Sequence, residues 1–333
     1  MKAVGYHTRG DASVLDDVER PKPHPGPHDL LVEVSAVSVN PVDTKVRTNM
    51  EPTGNEPRVL GFDAAGVVRA VGVAVTLFRP GDEVYYAGHF DRPGSNAEWQ
   101  IVDERIVGRK PATLSFAEAA ALPLTAITAW ELLFDRLRVP REGKGTLLVI
   151  NGAGGVGSIL IQLARKLTGL TVVATASRPD SIAWCQAMGA HHVVDHHQPL
   201  HEVVRALGIS QVEYVASLTA TDKHLPAIVE IIAPQGRMVL IDDPQQLDIV
   251  PFKRKSVSVS WEFMFTRSLF HTPDMVAQHT LLNEIAALVD AGEIRTTMKA
   301  SFGLIEAANM RRAHTLLESG HSIGKVVLEG FAN

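Results

Sequence analysis

The chain has 333 residues, of which 45% are hydrophobic and 21% charged, with a formal net charge of −5. These values suit a globular protein of roughly two domains and leave no basic footprint for nucleic acid, the densest basic run being "KRK" at 253–255. The N-terminus "MKAVGYHTRGDASVL" has no apolar core of a secretory signal, and no uninterrupted run reaches the ~18 apolar residues of a membrane span. Cys185 is the only cysteine, which excludes an intrachain disulfide and any site of several thiolates. A cytoplasmic protein without membrane attachment or structural zinc is expected.

Residues 1–110 give short strand-like runs, "KAVGYH", "DLLVEVSAVSV", "AAGVVRAVG", "DEVYYAG" and "AEWQIVDE", separated by turn signals such as "PHPGPHD", "RPGD" and "DRPGSN". Short strands with frequent Gly and Pro turns predict a β-rich barrel or sandwich. Asp63, in "RVLGFDAAGVVRAVG" (58–72), is a lone carboxylate in an apolar, glycine-rich stretch. From its setting it could bind a metal, act as acid or base, or hold a turn; the expectation is a supporting or turn-holding carboxylate near the cleft, hydrogen-bonded to backbone or to a basic neighbour.

"SFAEAAALPLTAITAWELLFDRL" (115–137) is helical, with Ser115 and Glu118 at capping-box spacing and Pro123 splitting it in two. From residue 146 buried strands alternate with amphipathic helices. "TLLVIN", "TVVATA", "HHVVD", "VEYVASL", "RMVLID" and "SVSVSWEFM" are the strands; "VGSILIQLARKLTG", "PDSIAWCQAMG", "PLHEVVRALG" and "KHLPAIVEIIAPQG" are the helices. Such alternation predicts parallel βαβ units and a doubly wound sheet. Two further helices, 273–291 and 304–319, precede a final strand, "GKVVLEG".

"VINGAGGVGSIL" (149–160) contains G-x-G-x-x-G as Gly152, Gly154 and Gly157, with Gly155 and Val156 opening the helix. Three glycines alone are a weak signal, but here a buried strand precedes them and a helix follows, as a dinucleotide-binding loop requires. At the end of the next strand an NAD site usually has a carboxylate for the ribose 2′-hydroxyl. This chain has Ser177 and Arg178, a small donor and a planar cationic fork suited to a 2′-phosphate. NADP(H) is therefore the expected cofactor, with Asp180 read as the N-cap of the following helix. Ser217 and Ile241, at the ends of the fourth and fifth strands, lie where such a sheet meets its dinucleotide. In "HHVVDHH" (191–197), His191 and His192 point to opposite strand faces and cannot easily chelate together.

The motifs "SVNPVDTKVR" (38–47), "VLGFDAAGVV" (59–68), "RPGDEVY" (79–85), "LPLTAITAW" (122–130), "GAGGVG" (152–157) and "GKVVLEG" (324–330) together resemble the medium-chain dehydrogenase/reductase superfamily along essentially the whole chain. They are most similar to its zinc-independent, quinone-oxidoreductase-like branch. The resemblance implies an α/β protein in which a doubly wound Rossmann domain (124–263) is inserted into a β-rich GroES-like catalytic domain (1–123 and 264–333). Zinc-containing relatives place a Cys in the first motif and a His-Glu pair in the second; here Asn40 and Phe62-Asp63 stand there. No catalytic zinc is expected, since such a site wants three N, S or O ligands.

The resemblance further assigns Asn40 and Thr125 to the nicotinamide side, Asn40 as an amide donor to substrate oxygen, and Asp43 to an orienting network. Each has a plainer reading: a turn asparagine before Pro41, a helix-terminal hydroxyl and a structural carboxylate. It makes Lys325 a cofactor-side lysine, against a solvated one, and puts His196 where many relatives have a tyrosine near the 2′-phosphate, against a surface-loop histidine. Tyr85 and Trp99 line either the cleft or the core. Relatives commonly have a tyrosine two residues after the aspartate, where this chain has Lys45. "SVSVSWEF" (256–263) reads as an edge strand, which relatives often pair across a dimer axis, so a homodimer is expected. The implied activity is NADPH-dependent reduction of a quinone or α,β-unsaturated carbonyl. The alternatives are an alcohol/aldehyde dehydrogenase of the same superfamily and a low-turnover NADPH-binding sensor.

Overall fold

A computed structural model describes residues 1–332. The chain divides into two compact units: Met1–Ile127 joined by the residues from Phe265 onward, and Thr128–Met264. The sequence reading put these divisions at 123/124 and 263/264.

The Thr128–Met264 unit is built on a six-stranded parallel sheet. Its spatial order is His192–Val194, Gly169–Thr175, Lys144–Ile150, Val212–Ser217, Ile232–Leu240 and Ser258–Trp261. In chain order that is 3-2-1-4-5-6, the doubly wound arrangement whose ligand side is the carboxyl edge of the strands. Strand Lys144–Ile150 is central and its last five residues are buried, which is why it reads as a continuous apolar run. Helix Gly155–Leu167 is buried on all sides through its middle, from Gly157 to Ala164, with Val156 and Leu167 only half-buried. Expectation had put its apolar stripe on one face.

The other unit carries a seven-stranded sheet. The path runs Met298–Ser301, Lys325–Glu329, Asp29–Val39, Asp63–Val71, Glu83–Tyr86 and Val107–Arg109, with Trp99–Asp103 also pairing to Asp29–Val39. A three-stranded sheet of Asp16–Glu19, Lys2–Tyr6 and Arg58–Val59 completes it. The long strand Asp29–Val39 bonds Trp99–Asp103 along its first half and Lys325–Glu329 along its second. The chain's last strand is thereby laid beside one of its earliest.

Three short strands escaped the sequence reading: Asp16–Glu19, Val107–Arg109 and Met298–Ser301. So did helix Pro41–Asn49, in which Pro41 occupies the first helical position and Asn40 the N-cap; a proline is tolerated there because its N–H would be unpaired anyway. The 115–137 segment splits at Pro123 into Phe116–Ala120 and Pro123–Trp130, and a π-helical stretch Glu131–Arg136 follows. Ser115 and Glu118 form the expected capping box, at 3.2 and 3.0 Å. Phe116–Arg136 is long and apolar enough to span a membrane by length and composition, yet 89% of its most apolar window is buried in the protein, as in a core helix. Helix Thr221–Ile231 ends earlier than read, because "IAPQG" belongs to strand Ile232–Leu240. Asp180 is not an N-cap: Arg178 holds that position, Pro179 follows, and Asp180 lies in the first turn.

Candidate functional site: a dinucleotide loop and a buried polar cluster

Within the doubly wound unit, Asn151 leaves the first strand in the left-handed region, at φ 66°, which asparagine tolerates better than most residues. Its N–H donates to Thr175 Oγ1 (2.9 Å) and the Gly152 N–H to Thr175 O (3.0 Å), tying the loop to the end of the second strand. A Cβ on Gly157 would lie 2.5 Å from Asn151 O and 2.6 Å from Gly152 O, so only glycine lets the helix start so close to the strand. A Cβ on Gly152 would meet Ala174 Cβ at 2.7 Å and Cys185 Sγ at 3.0 Å. Gly154 caps helix Gly155–Leu167. The N–H groups of Gly155, Val156 and Gly157 are those a helix leaves without intrahelical partners, and they suit a pyrophosphate. Ser158 Oγ donates to Gly154 O (2.7 Å) and accepts from Trp184 Nε1 (2.8 Å), bracing this turn.

The rest of the carboxyl edge follows the strand order. Ser177 and Arg178, both half-buried, succeed the second strand; the Arg178 N–H donates to Ser181 Oγ at 3.2 Å. His196 follows the third strand. Ser217 is fully buried, its hydroxyl 2.7 Å from Thr221 Oγ1. The Thr221 N–H and hydroxyl donate in turn to Asp242, at 2.9 and 2.5 Å. Ile241 donates its N–H to Ser217 O at 3.3 Å. Thr221 and Asp242 were missed by the sequence reading; the one available signal was a hydroxyl and a carboxylate just after consecutive strand ends. His191 is a structural tie, its Nδ1 accepting from the Val172 N–H (2.9 Å) and its Nε2 meeting Arg165.

In the β-rich unit, register assembles a second constellation. Ser38 pairs with Asp63 and Val39 with Val326, so Ser38, Asn40, Asp63 and Lys325 gather at one end of three adjacent strands. Asp63 is 0% exposed and Lys325 3%. Asp63 Oδ2 accepts from Ser38 Oγ (2.9 Å), Asn40 Nδ2 (2.8 Å) and Lys325 Nζ (2.8 Å), while Oδ1 accepts from the Leu124 N–H (2.7 Å). Lys325 Nζ also donates to Val39 O (3.1 Å) and to Asn40 Oδ1. Asp43, likewise buried, accepts from the Asn40 N–H (2.8 Å) and the Gly61 N–H (3.1 Å). Burial pushes the Asp43 carboxyl up to about 7; Asp63 adds to the rise, while the two backbone donors and Lys325 oppose it.

This geometry answers the question Asp63 raised. It is the shared acceptor of a lysine, an amide, a hydroxyl and a helix-terminal N–H, rather than a turn holder. Lys325 is not solvated: its three ammonium protons meet three acceptors inside the unit, and none is left over for a cofactor. Asn40 is the helix N-cap, yet its side chain faces the cluster. One amide proton goes to Asp63 and the other points to Ser38 O at 3.4 Å, so the amide is oriented by the protein rather than left open as a substrate donor. Thr125 is buried and its hydroxyl donates back to Leu122 O (3.0 Å), the helix-terminal arrangement. Tyr85 is core, donating to Leu282 O at 2.6 Å. Trp99 is half-buried beneath the Lys22 ammonium, 3.1 Å from the ring centroid.

The donor set does not fit zinc. Phe62 offers no ligand atom and packs against Phe265 and Phe90, at centroid distances of 4.8 and 6.0 Å. Both oxygens of Asp63 are engaged, and no group of three His, Cys, Asp or Glu side chains able to hold an ion exists among the described residues. The lone thiol, Cys185, is in the other unit, buried beneath Gly152, and its burial pushes it up to about 12.

Fold and site together define a two-unit oxidoreductase with a GroES-like part and a dinucleotide-binding part. Residues 26–127 match the alcohol dehydrogenase GroES-like domain, and residues 188–328 match a zinc-binding dehydrogenase domain. A zinc-type alcohol dehydrogenase-like protein of Staphylococcus aureus (strain MSSA476) is 42% identical over 98% of this chain and 99% of its own length. The chain belongs to the medium-chain dehydrogenase/reductase superfamily. Among solved structures, a Rhizobium etli CFN 42 protein provisionally described as a zinc-dependent alcohol dehydrogenase is 57% identical, with a TM-score of 0.97 over 100% of this chain and 99% of that one. Escherichia coli quinone oxidoreductase, solved with NADPH, is 25% identical, with a TM-score of 0.84 over 99% of this chain and 100% of that one.

Proposed function

We propose that the protein is an NADPH-dependent reductase that acts on a quinone or an α,β-unsaturated carbonyl without catalytic zinc. The observation that carries this reading is the cluster around Asp63. Where zinc-containing relatives keep metal donors, this chain has a lysine-neutralised carboxylate and a phenylalanine. Without a metal to polarise a carbonyl, simple alcohol oxidation is poorly served, whereas a quinone or enone delocalises the charge it receives and needs only a hydrogen-bond donor or water. A bound nicotinamide cofactor supplies the hydride. The loop 152–157 would hold its pyrophosphate, and Ser177 and Arg178 its 2′-phosphate, with no carboxylate at the second strand end to repel it. In the β-rich unit, Asp63 and Lys325 fix the Asn40 amide, and Asp43 carries an exchangeable proton near neutral pH.

The names of the S. aureus and R. etli relatives favour a second reading, an alcohol or aldehyde dehydrogenase. One assay series separates the two. NADPH and NADH affinities are measured by fluorescence, and cofactor oxidation is then followed with 1,4-benzoquinone, an enone and an aldehyde, with and without chelator. Tighter NADPH binding and chelator-insensitive turnover of quinone or enone are expected. Loss of activity on chelation, or turnover of the aldehyde alone, overturns the reading; tight NADPH binding without any turnover leaves a sensor. The proposal includes a cytoplasmic setting and a homodimer paired through residues 256–263. The dimer is supported by the edge position of strand Ser258–Trp261 and by Trp261, 55% exposed. A monomer mass in light scattering would remove it.

A further inference from the structure

In the β-rich unit, one buried side chain near the Asp63 cluster is left without a partner. Residues 94–96 run alongside 59–61. The Gly94 N–H donates to Val59 O (3.0 Å), the Ser95 N–H to Gly61 O (2.8 Å) and the Asn96 N–H to Leu60 O (2.9 Å). The Val4 N–H donates to Asn96 O at 2.8 Å, and Ser95 Oγ to Asp63 O at 3.0 Å. Both backbone groups of Asn96 are thus engaged, and the residue is only 3% exposed. Its side-chain amide has no hydrogen bond to any described residue. On the same seven-stranded sheet, Tyr86 Oη and Gln100 Oε1 also lack partners, but they are sealed from solvent. The Asn96 amide is not sealed: the small exposure that the residue keeps includes its polar atoms.

Gly61 sets the direction of this amide. A Cβ on Gly61 would lie 2.4 Å from Asn96 Oδ1 and 2.7 Å from its Cγ, so Oδ1 faces Gly61 and Nδ2 is turned away. Gly61 has a φ of 100°, which side chains rarely adopt, and its N–H donates to Asp43 Oδ1 at 3.1 Å. The glycine directly before Phe62-Asp63 is therefore flanked by the Asp43 carboxyl and the Asn96 amide. Asn40, by contrast, directs its amide protons to Asp63 and Ser38 O.

A buried donor without an acceptor lowers stability, and it persists where a ligand supplies the missing partner. We propose that Asn96 is the substrate-contacting donor, its Nδ2 amide bonding the carbonyl oxygen of the quinone or enone. The proposal rests on the reductase reading above. In that reaction the acceptor gains a hydride, with its electron pair, from C4 of the reduced nicotinamide, which is thereby oxidised. The hydride arrives at the enone β-carbon or on the quinone, and negative charge collects on the acceptor oxygen. A proton from water then completes the hydroquinone or, at the enone α-carbon, the saturated ketone. Asn96 neither gives nor takes a proton; its hydrogen bond strengthens as the oxygen becomes negative.

The test compares wild type with Asn96→Leu and Asn96→Ala. Turnover with NADPH is measured over a series of quinones and enones, from 1,4-benzoquinone to cyclohexenone, beside urea denaturation and NADPH titration by fluorescence. Asn96→Leu replaces an unpartnered amide by an apolar group of similar size, so its urea midpoint should equal or exceed that of wild type. In both variants kcat should fall on the order of a hundredfold for the most demanding acceptor, as when one donor to a developing oxyanion is removed. The loss should grow with the basicity of the product anion along whichever acceptors the wild type reduces. NADPH affinity should stay as in wild type.

A lower urea midpoint in Asn96→Leu, or an equal loss of kcat for every acceptor, makes the residue structural and overturns the assignment. Undiminished turnover in both variants means that the amide holds only water, and overturns it as well. In each of these cases the reductase reading stands. A wild type that reduces no quinone or enone removes that reading and the assignment with it.

Discussion

The loop 151–157 and the cluster around Asp63 are two ways of presenting polar groups. The loop is made of backbone: its N–H groups face outward because three glycines permit a strand, a turn and a helix to follow one another within a few residues. The cluster is made of side chains, and its central contact joins Asp63 to Lys325, 262 positions apart. A backbone site tolerates changes of side chain around it and fails when a Cβ is added. A side-chain site fails when one charge is removed and the other stays buried.

The strongest way to break this comparison is Asp63→Asn. It leaves the Lys325 ammonium buried without its direct counter-ion, and breaking one half of such a pair costs about 3–5 kcal/mol, to be read as a lower urea midpoint. Asp63→Leu with Lys325→Met removes the pair whole and should lose less than Asp63→Asn alone. An equal or greater loss in the double variant would show that the pair stabilises through its shape rather than its charge.

A smaller effect is expected from pH, because a proton leaving Asp43 keeps both backbone hydrogen bonds in place. The folded pKa, about 7, lies above the ordinary value near 3.8, so the folded state holds its proton where the unfolded state has released it. This contribution to stability is complete below pH 4 and is lost as pH rises through 7. The stability difference between wild type and Asp43→Asn should therefore shrink between pH 4 and 8, measured by denaturation at each pH. In Asp63→Asn the Asp43 carboxyl loses a repelling neighbour, and the slope should move to lower pH.

Gly157→Ala tests the backbone side. The added methyl meets two carbonyl oxygens, and overpacking of this kind costs about 1–3 kcal/mol, with cofactor affinity falling along with it. Retained affinity would mean that the loop can open without losing its anion site. Ser158→Ala is the mildest change, losing about 1 kcal/mol by removing the acceptor of the Trp184 indole, with cofactor affinity preserved in a fluorescence titration.

The two regions also differ in how far they could be read from the sequence. Period and punctuation announce the doubly wound unit, because each strand is apolar, each helix follows directly, and the glycine spacing is local. Ser115 with Glu118 was legible for the same reason. Lys325 was not, since a lysine is ordinarily exposed and nothing near it in the chain provides the carboxylate that buries it. Helix Pro41–Asn49 was hidden by Asn-Pro, which reads as a turn although it also opens helices. The missed strands, of three or four residues, carry too few positions to show alternation, and their existence depends on partners far away. Asp180 was misread because the helix begins one residue earlier, at Pro179. Its carboxylate, in the first turn, complements the positive end of the helix dipole.

Cys185 acquires a chemical meaning from its place beneath Gly152. Electron-poor alkenes and quinones, the substrates proposed above, alkylate thiolates. Here the chain's single thiol is buried and held up to about 12, so the nucleophilic form is nearly absent at neutral pH. The packing that seats the glycine loop also shields this thiol from soft electrophiles.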